Sequence, residues 1–104
     1  MATKMYVSQF SRQAVDREGR PIAAPDWSSK IGDTLVIDYN AGAARIGPFD
    51  GDARFVRMHT DSICSFKFGG SSVTASTGED RMIAGQTEFA GIEPGSYLSA
   101  ITNT

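Results

Sequence analysis

Short apolar runs, each broken within a few residues by Gly, Pro, Asn or Asp, recur along the whole chain, and no stretch keeps apolar residues at i, i+3, i+4 and i+7 for three helical turns. That punctuation argues against helices and for an all-β fold. Residues 5–10, 34–39, 53–60, 63–68, 87–91 and 96–102 are each short, rich in β-branched or aromatic side chains and bounded by turn formers. With their connections they predict a small antiparallel β-sandwich or jelly-roll-like barrel of about six to eight strands. Side chains alternate between faces along a strand, so Leu35, Ile37 and Tyr39 share one face, as do Cys64, Phe66 and Phe68. These two triplets are the expected core.

At 104 residues the chain suffices for one hydrophobic core, so 1–104 is expected to form a single domain. Ten basic against twelve acidic residues leave a net charge of -2, which gives no bulk attraction for nucleic acid. One Cys and one His cannot build an intrachain disulfide or a zinc cluster, and no cofactor is expected. No uncharged apolar run approaches the roughly 20 residues of a membrane span, and the opening MATKMYVSQF lacks the basic-then-apolar order of a signal peptide. A soluble chain without a membrane partner is expected.

Between the first two strong strands lies 11–31, which contains Pro21 and Pro25, shows no sustained period and is long for a structureless connection. It predicts an extended loop or arm, a hairpin, or a lid. Residues 1–30 carry five basic and three acidic side chains, whereas 31–104 carry five and nine, so the segment's charge bias opposes that of the body. Trp27 is the only large aromatic in this segment and must fold back on the core or dock on a partner. The expected partner interface is Trp27 as apolar anchor, with Arg12, Arg17 and Arg20 facing an acidic surface. Phe55 joins it, because 54–58 places apolar side chains on both strand faces, which calls for cover by a loop or another subunit. Docking on a sister chain would make a homo-oligomer, a trimer being one such form. A second polar tract, 69–80, is expected to be an exposed hairpin connection.

Residues with chemical potential are few. His59 followed by Asp61 could act as an oriented base, but no second His and no Gly-x-Ser-x-Gly elbow supplies a nucleophile, so no catalytic residue is assigned. Asp50-Gly51-Asp52 and Glu79-Asp80 offer too few alternating oxygen ligands for calcium, and the first is expected to be a turn with positive φ at Gly51. Lys67-Phe68-Gly69-Gly70-Ser71-Ser72 lacks the ending of a phosphate loop. Cys64 alternates with Phe66 and Phe68 and is expected to be a buried small hydrophobe.

The second half is more specific as a series. Arg54-Phe55-Val56-Arg57, then Asp61-Ser62-Ile63-Cys64-Ser65-Phe66-Lys67-Phe68-Gly69, then Met82-Ile83-Ala84-Gly85-Gln86-Thr87-Glu88-Phe89, then Pro94-Gly95-Ser96-Tyr97-Leu98-Ser99-Ala100-Ile101 resembles small β-sandwich structural proteins of tailed bacteriophages and prophages. The resemblance covers residues 54–101. It implies a non-enzymatic virion component, assembled in the host cytoplasm, of which capsid decoration or cement proteins on the major capsid protein lattice are one kind. A neck or tail component, bound to another virion protein, is the alternative within that family. Outside it stand two other classes. A carbohydrate- or receptor-binding sandwich would use Trp27, Tyr6, Tyr39 and Tyr97 as stacking groups around an aromatic cleft with convergent polar groups. A small enzyme would need a pocket and a nucleophile beside His59 and Asp61.

Overall fold

The computed structural model describes residues 3–103. Ten strands run in the order β1 (Lys4–Phe10), β2 (Gln13–Val15), β3 (Pro21–Pro25), β4 (Lys30–Asp38), β5 (Ala44–Ile46), β6 (Phe55–Thr60), β7 (Cys64–Gly69), β8 (Asp80–Met82), β9 (Thr87–Gly91) and β10 (Tyr97–Thr102). A single 3-10 turn, Trp27–Ser29, precedes β4. The first four-stranded sheet has the order β4-β1-β6-β9, the second β5-β10-β7-β8, and β2-β3 stand apart as a two-stranded ribbon.

All-β architecture is thus as expected, and each of the six anticipated segments overlaps a strand, though β4 begins four residues before its anticipated start. The count exceeds six to eight because β2, β5 and β8 have three residues each, too few for alternation to register as a pattern. Every pairing is antiparallel, and three of them nest, β5 with β10, β6 with β9 and β7 with β8, while β1 with β4 precedes the nested set. Nested pairing is one long hairpin wound over itself, the jelly-roll arrangement that closes two sheets over a shared core. The remaining pair, β1 and β4, is joined through the ribbon and the 3-10 turn. β1 and β10 come together at Tyr39, whose N–H donates to the Thr3 carbonyl and whose carbonyl accepts from Thr102 Oγ1.

Met5, Val7, Ile37, Val56 and Met58 from the first sheet meet Cys64, Met82, Leu98 and Ala100 from the second. Of the two expected core triplets, Ile37, Tyr39 and Cys64 are fully buried, while Leu35, Phe66 and Phe68 are half-buried against the cluster. Burial along the shared faces is thus uneven, which alternation alone cannot show. The Tyr39 hydroxyl ends inside the core, 2.7 Å from Thr60 Oγ1 and 2.9 Å from the Ser62 carbonyl, so its burial carries no unmet polar group.

Residues 11–31 form no loose arm. Ser11 N–H donates to the Ser29 carbonyl at the base, β2 pairs with β3, and Asp16 Oδ1 closes the turn by accepting from the Glu18 and Arg20 amides. Lys30 and Ile31 already belong to β4. The hairpin alternative is the one that forms, and its tip, residues 17–22, is exposed.

Candidate functional site

The register determines which residues share the outer face of the first sheet. Phe10 stands opposite Phe55, Ser8 opposite Arg57 and Tyr6 opposite His59, while Arg57 pairs with Phe89 and His59 with Thr87 on the other side. Val56 and Met58 point inward, so Phe10, Phe55, Arg57, Tyr6 and Phe89 form one outward patch.

Trp27 lies over one end of it. Its ring meets Phe10 edge-on with centroids 5.1 Å apart, and Phe10 stacks on Phe55 at 5.7 Å. The Arg57 guanidinium carbon is 6.0 Å from the Trp27 ring centroid, at the outer limit of a cation–π contact. Phe10 is wholly buried although it faces away from the inter-sheet core, whereas Trp27 is 57% and Phe89 45% exposed. The patch is therefore anchored by the chain itself and still open on its outer surface.

Local chemistry places Trp27. Asp26 caps the 3-10 turn by accepting from the Ser28 amide at 3.0 Å, and its other oxygen takes Arg12 Nη2 at 3.0 Å. The Ser28 hydrogen bonds, with Arg12 second, hold the Asp26 carboxyl below its ordinary value.

Of the expected interface residues, Trp27 and Phe55 come together through Phe10, with Arg12 beside them. Arg12, expected to face a partner, is instead committed to Asp26 and Ser28 of its own chain. Arg20 is tied to Asp16 and Glu18 at the ribbon tip. Arg17 makes no hydrogen bond or ion pair among the described residues. Sequence reasoning passed over Phe10, Arg57 and Phe89. The signal for Phe10 was present, since alternation through 5–10 opposes Tyr6, Ser8 and Phe10 to Met5 and Val7.

A groove of about 620 Å³ runs beside this patch between the ribbon base (Ser11, Gln13, Ala24) and β9, with Arg54 and Phe55 on its wall. Both Arg54 and Glu88 line it, and neither makes an ion pair among the described residues.

The remaining chemical candidates are dispersed. His59 Nδ1 lies 2.8 Å from Thr87 Oγ1, and no hydrogen bond joins His59 to Asp61 among the described residues. Burial pushes the Cys64 thiol up, and Sγ contacts Thr60 Oγ1 at 3.7 Å. Gly51 does not have positive φ; the turn is closed by Asp50 Oδ1 accepting from the Asp52 amide, so the aspartate supplies what was attributed to the glycine. No group of three metal-ligating side chains occurs among the described residues. Tyr39, a proposed stacking group, is buried. No family model, curated protein or solved structure matches the chain.

Proposed function

We propose that this chain is a non-enzymatic structural protein of a tailed-phage virion, a capsid decoration protein that attaches to the major capsid protein lattice. The observation that carries the reading is the open aromatic patch of Trp27, Phe55 and Phe89 around Arg57, held on a closed sandwich beside a projecting ribbon. Large aromatics with an Arg among them are the side chains that dominate association energies. A rigid body repeated around a lattice needs only modest affinity at each contact, because the contacts add through multivalency. Arg17 at the ribbon tip is available to an acidic partner surface, which Arg12 and Arg20 are not.

Co-sedimentation tests the reading. The protein is mixed with empty heads, and separately with isolated tails, of the phage that carries its gene. Saturable uptake by heads is the expected result, reduced in Trp27→Ala; uptake by tails alone would move the protein to the neck or tail, and uptake by neither would reject a virion role. The groove beside Phe55 and Phe89, with Arg54, Glu88, Gln13 and Ser11 around it, favours a glycan-binding module as the second reading. Glycan-array binding lost in Arg54→Ala, without uptake by heads, would select it.

A further inference from the structure

Sheet edges are where a β-sandwich can extend, and the four edges here differ. β5 and β8 have three residues each, and β4 is irregular where it meets β1 and carries Lys30, Gly32 and Asp33. Short length, charge and irregularity are the usual protections of an edge. β9 (Thr-Glu-Phe-Ala-Gly) has five residues, no Pro, no Lys, one charge at Glu88 and an unbroken register with β6.

Its hydrogen-bond parity is fixed. Ile92 N–H donates to the Arg54 carbonyl, and Phe55 stands opposite Gly91, so in the alternating antiparallel pattern Ala90 and Glu88 bond to β6. The amides and carbonyls of Thr87, Phe89 and Gly91 therefore point away from the sheet. No partner for them occurs among the described residues.

That set is symmetric about Phe89. The geometry points to self-association of this chain through β9, two copies pairing their β9 strands antiparallel about a two-fold axis at Phe89, so that the first sheets of both join into one.

In this register Phe89 meets Phe89 of the second copy, Thr87 meets Gly91, and Glu88 meets Ala90. Every outward amide finds a carbonyl. The Phe89 rings become a cross-strand aromatic pair on the outer face. Gly91 leaves space for Thr87 of the second copy, and the groove between Gly91 and the ribbon base receives the incoming chain.

Charge selects a second copy over another strand. The Arg54 carbonyl takes Ile92 N–H while its amide turns to the Phe10 carbonyl, and Arg54 lines one groove with Glu88 and Ala90. Glu88 of the second copy, set over the small Ala90, comes within reach of Arg54, and the two-fold repeats the contact. Both groups are exposed; Arg54 Nη1 donates to the Gly51 and Ala53 carbonyls and Glu88 Oε1 accepts from Gln86 Nε2, and neither makes an ion pair among the described residues. An isologous contact needs this kind of self-complementary patch. The inference goes beyond the virion reading and does not rest on it.

Sedimentation equilibrium of the purified chain over a wide concentration range is the test, applied to wild type, Arg54→Glu, Glu88→Arg and the double exchange. Wild type is expected to follow a monomer–dimer equilibrium. Each single reversal, which sets like charges together twice per dimer, should weaken it by about tenfold or more, and the double exchange should restore it. Circular dichroism melts of the exposed-site variants verify that all are folded. Monomeric wild type at every concentration overturns the pairing and leaves the edge to a strand from another protein; so does a dimer indifferent to the single reversals, or one that the double exchange fails to rescue. Uptake by heads is measured separately, so the pairing and the virion reading fail independently.

Discussion

The two outer faces of the sandwich are finished in opposite ways. On the second sheet, Ser65, Lys67 and Ser99 face outward, and the 70–79 connection folds across them. Ala75 is 3% exposed, its amide donates to Ser99 Oγ at 2.9 Å, and Ser65 Oγ accepts from Asn103 Nδ2 at 2.7 Å. The tract expected to be an exposed hairpin connection is in part a cover. On the first sheet the corresponding positions hold Tyr6, Phe10, Phe55, Arg57 and Phe89, with Trp27 above one end of them and the ribbon base across an open groove. Small hydroxyl side chains let a backbone segment approach and satisfy its amide, which completes the face within one molecule. Aromatic side chains keep the backbone at a distance and leave apolar area in water, which a second molecule can cover.

The comparison breaks most directly at Phe10. If its outward position made it a surface residue, Phe10→Ala would cost little. Buried between Trp27 and Phe55, it should instead cost about 3 to 5 kcal/mol, the scale of a core Phe truncation. Urea or guanidinium unfolding measures it, and a loss below about 1 kcal/mol would mean that the aromatic stack is not part of the folded core.

Trp27→Ala separates folding from attachment. More than half the ring is exposed, so the stability lost should be about 1 kcal/mol, the scale of one edge-on aromatic contact with modest burial. Attachment to heads should fall by about 2 kcal/mol or more if the ring is an anchor. Reversal of those two magnitudes would make Trp27 a lid for Phe10 and place the interface elsewhere.

Ser99→Ala is the matching change on the closed face. It removes the acceptor of the buried Ala75 amide and should cost about 1 to 3 kcal/mol, the penalty of an orphaned donor. Attachment should be unchanged per folded molecule, since this face is already covered. Equal loss of attachment would undo the distinction between the faces.

How far the sequence shows this difference depends on the interaction involved. Strands with clear alternation were legible because burial of one face imposes a period of two, as in Leu35, Ile37 and Tyr39. Three-residue strands such as β8, Asp80–Met82, were not, since their existence depends on a neighbour in space, here β7. The double apolar character of 54–58 announced that a second face needed cover. It could not say that Phe10, far away in the chain, provides part of that cover, because this follows from the β1–β6 register. The sequence counts the charges of Arg12 and Arg20 without showing that Asp26 and Asp16 stand beside them.

The smallest expected effect is a pH response of the open face. Its cover is held by the Asp26 carboxylate, whereas the closed face's is held by the Ser99 and Ser65 hydroxyls together with the solvent-exposed Lys67–Glu79 pair at 3.5 Å. Asp26 is depressed below 3.8 in the folded chain, by Ser28 first and Arg12 second. A depressed carboxyl contributes stability that is fully present above the unfolded value and is lost as pH falls through the folded one, so the window lies below about pH 4. There the bonds to Ser28 and Arg12 weaken and the 3-10 turn loosens. Trp27 is the only Trp in the chain, so its fluorescence reports the turn directly. An emission change is expected below about pH 4, ahead of global unfolding followed by far-ultraviolet circular dichroism. Asp26→Asn should lack that separate step. Coincidence of the two probes in the wild type, or persistence of the step in Asp26→Asn, would show that Asp26 does not hold the Trp27 cover in place.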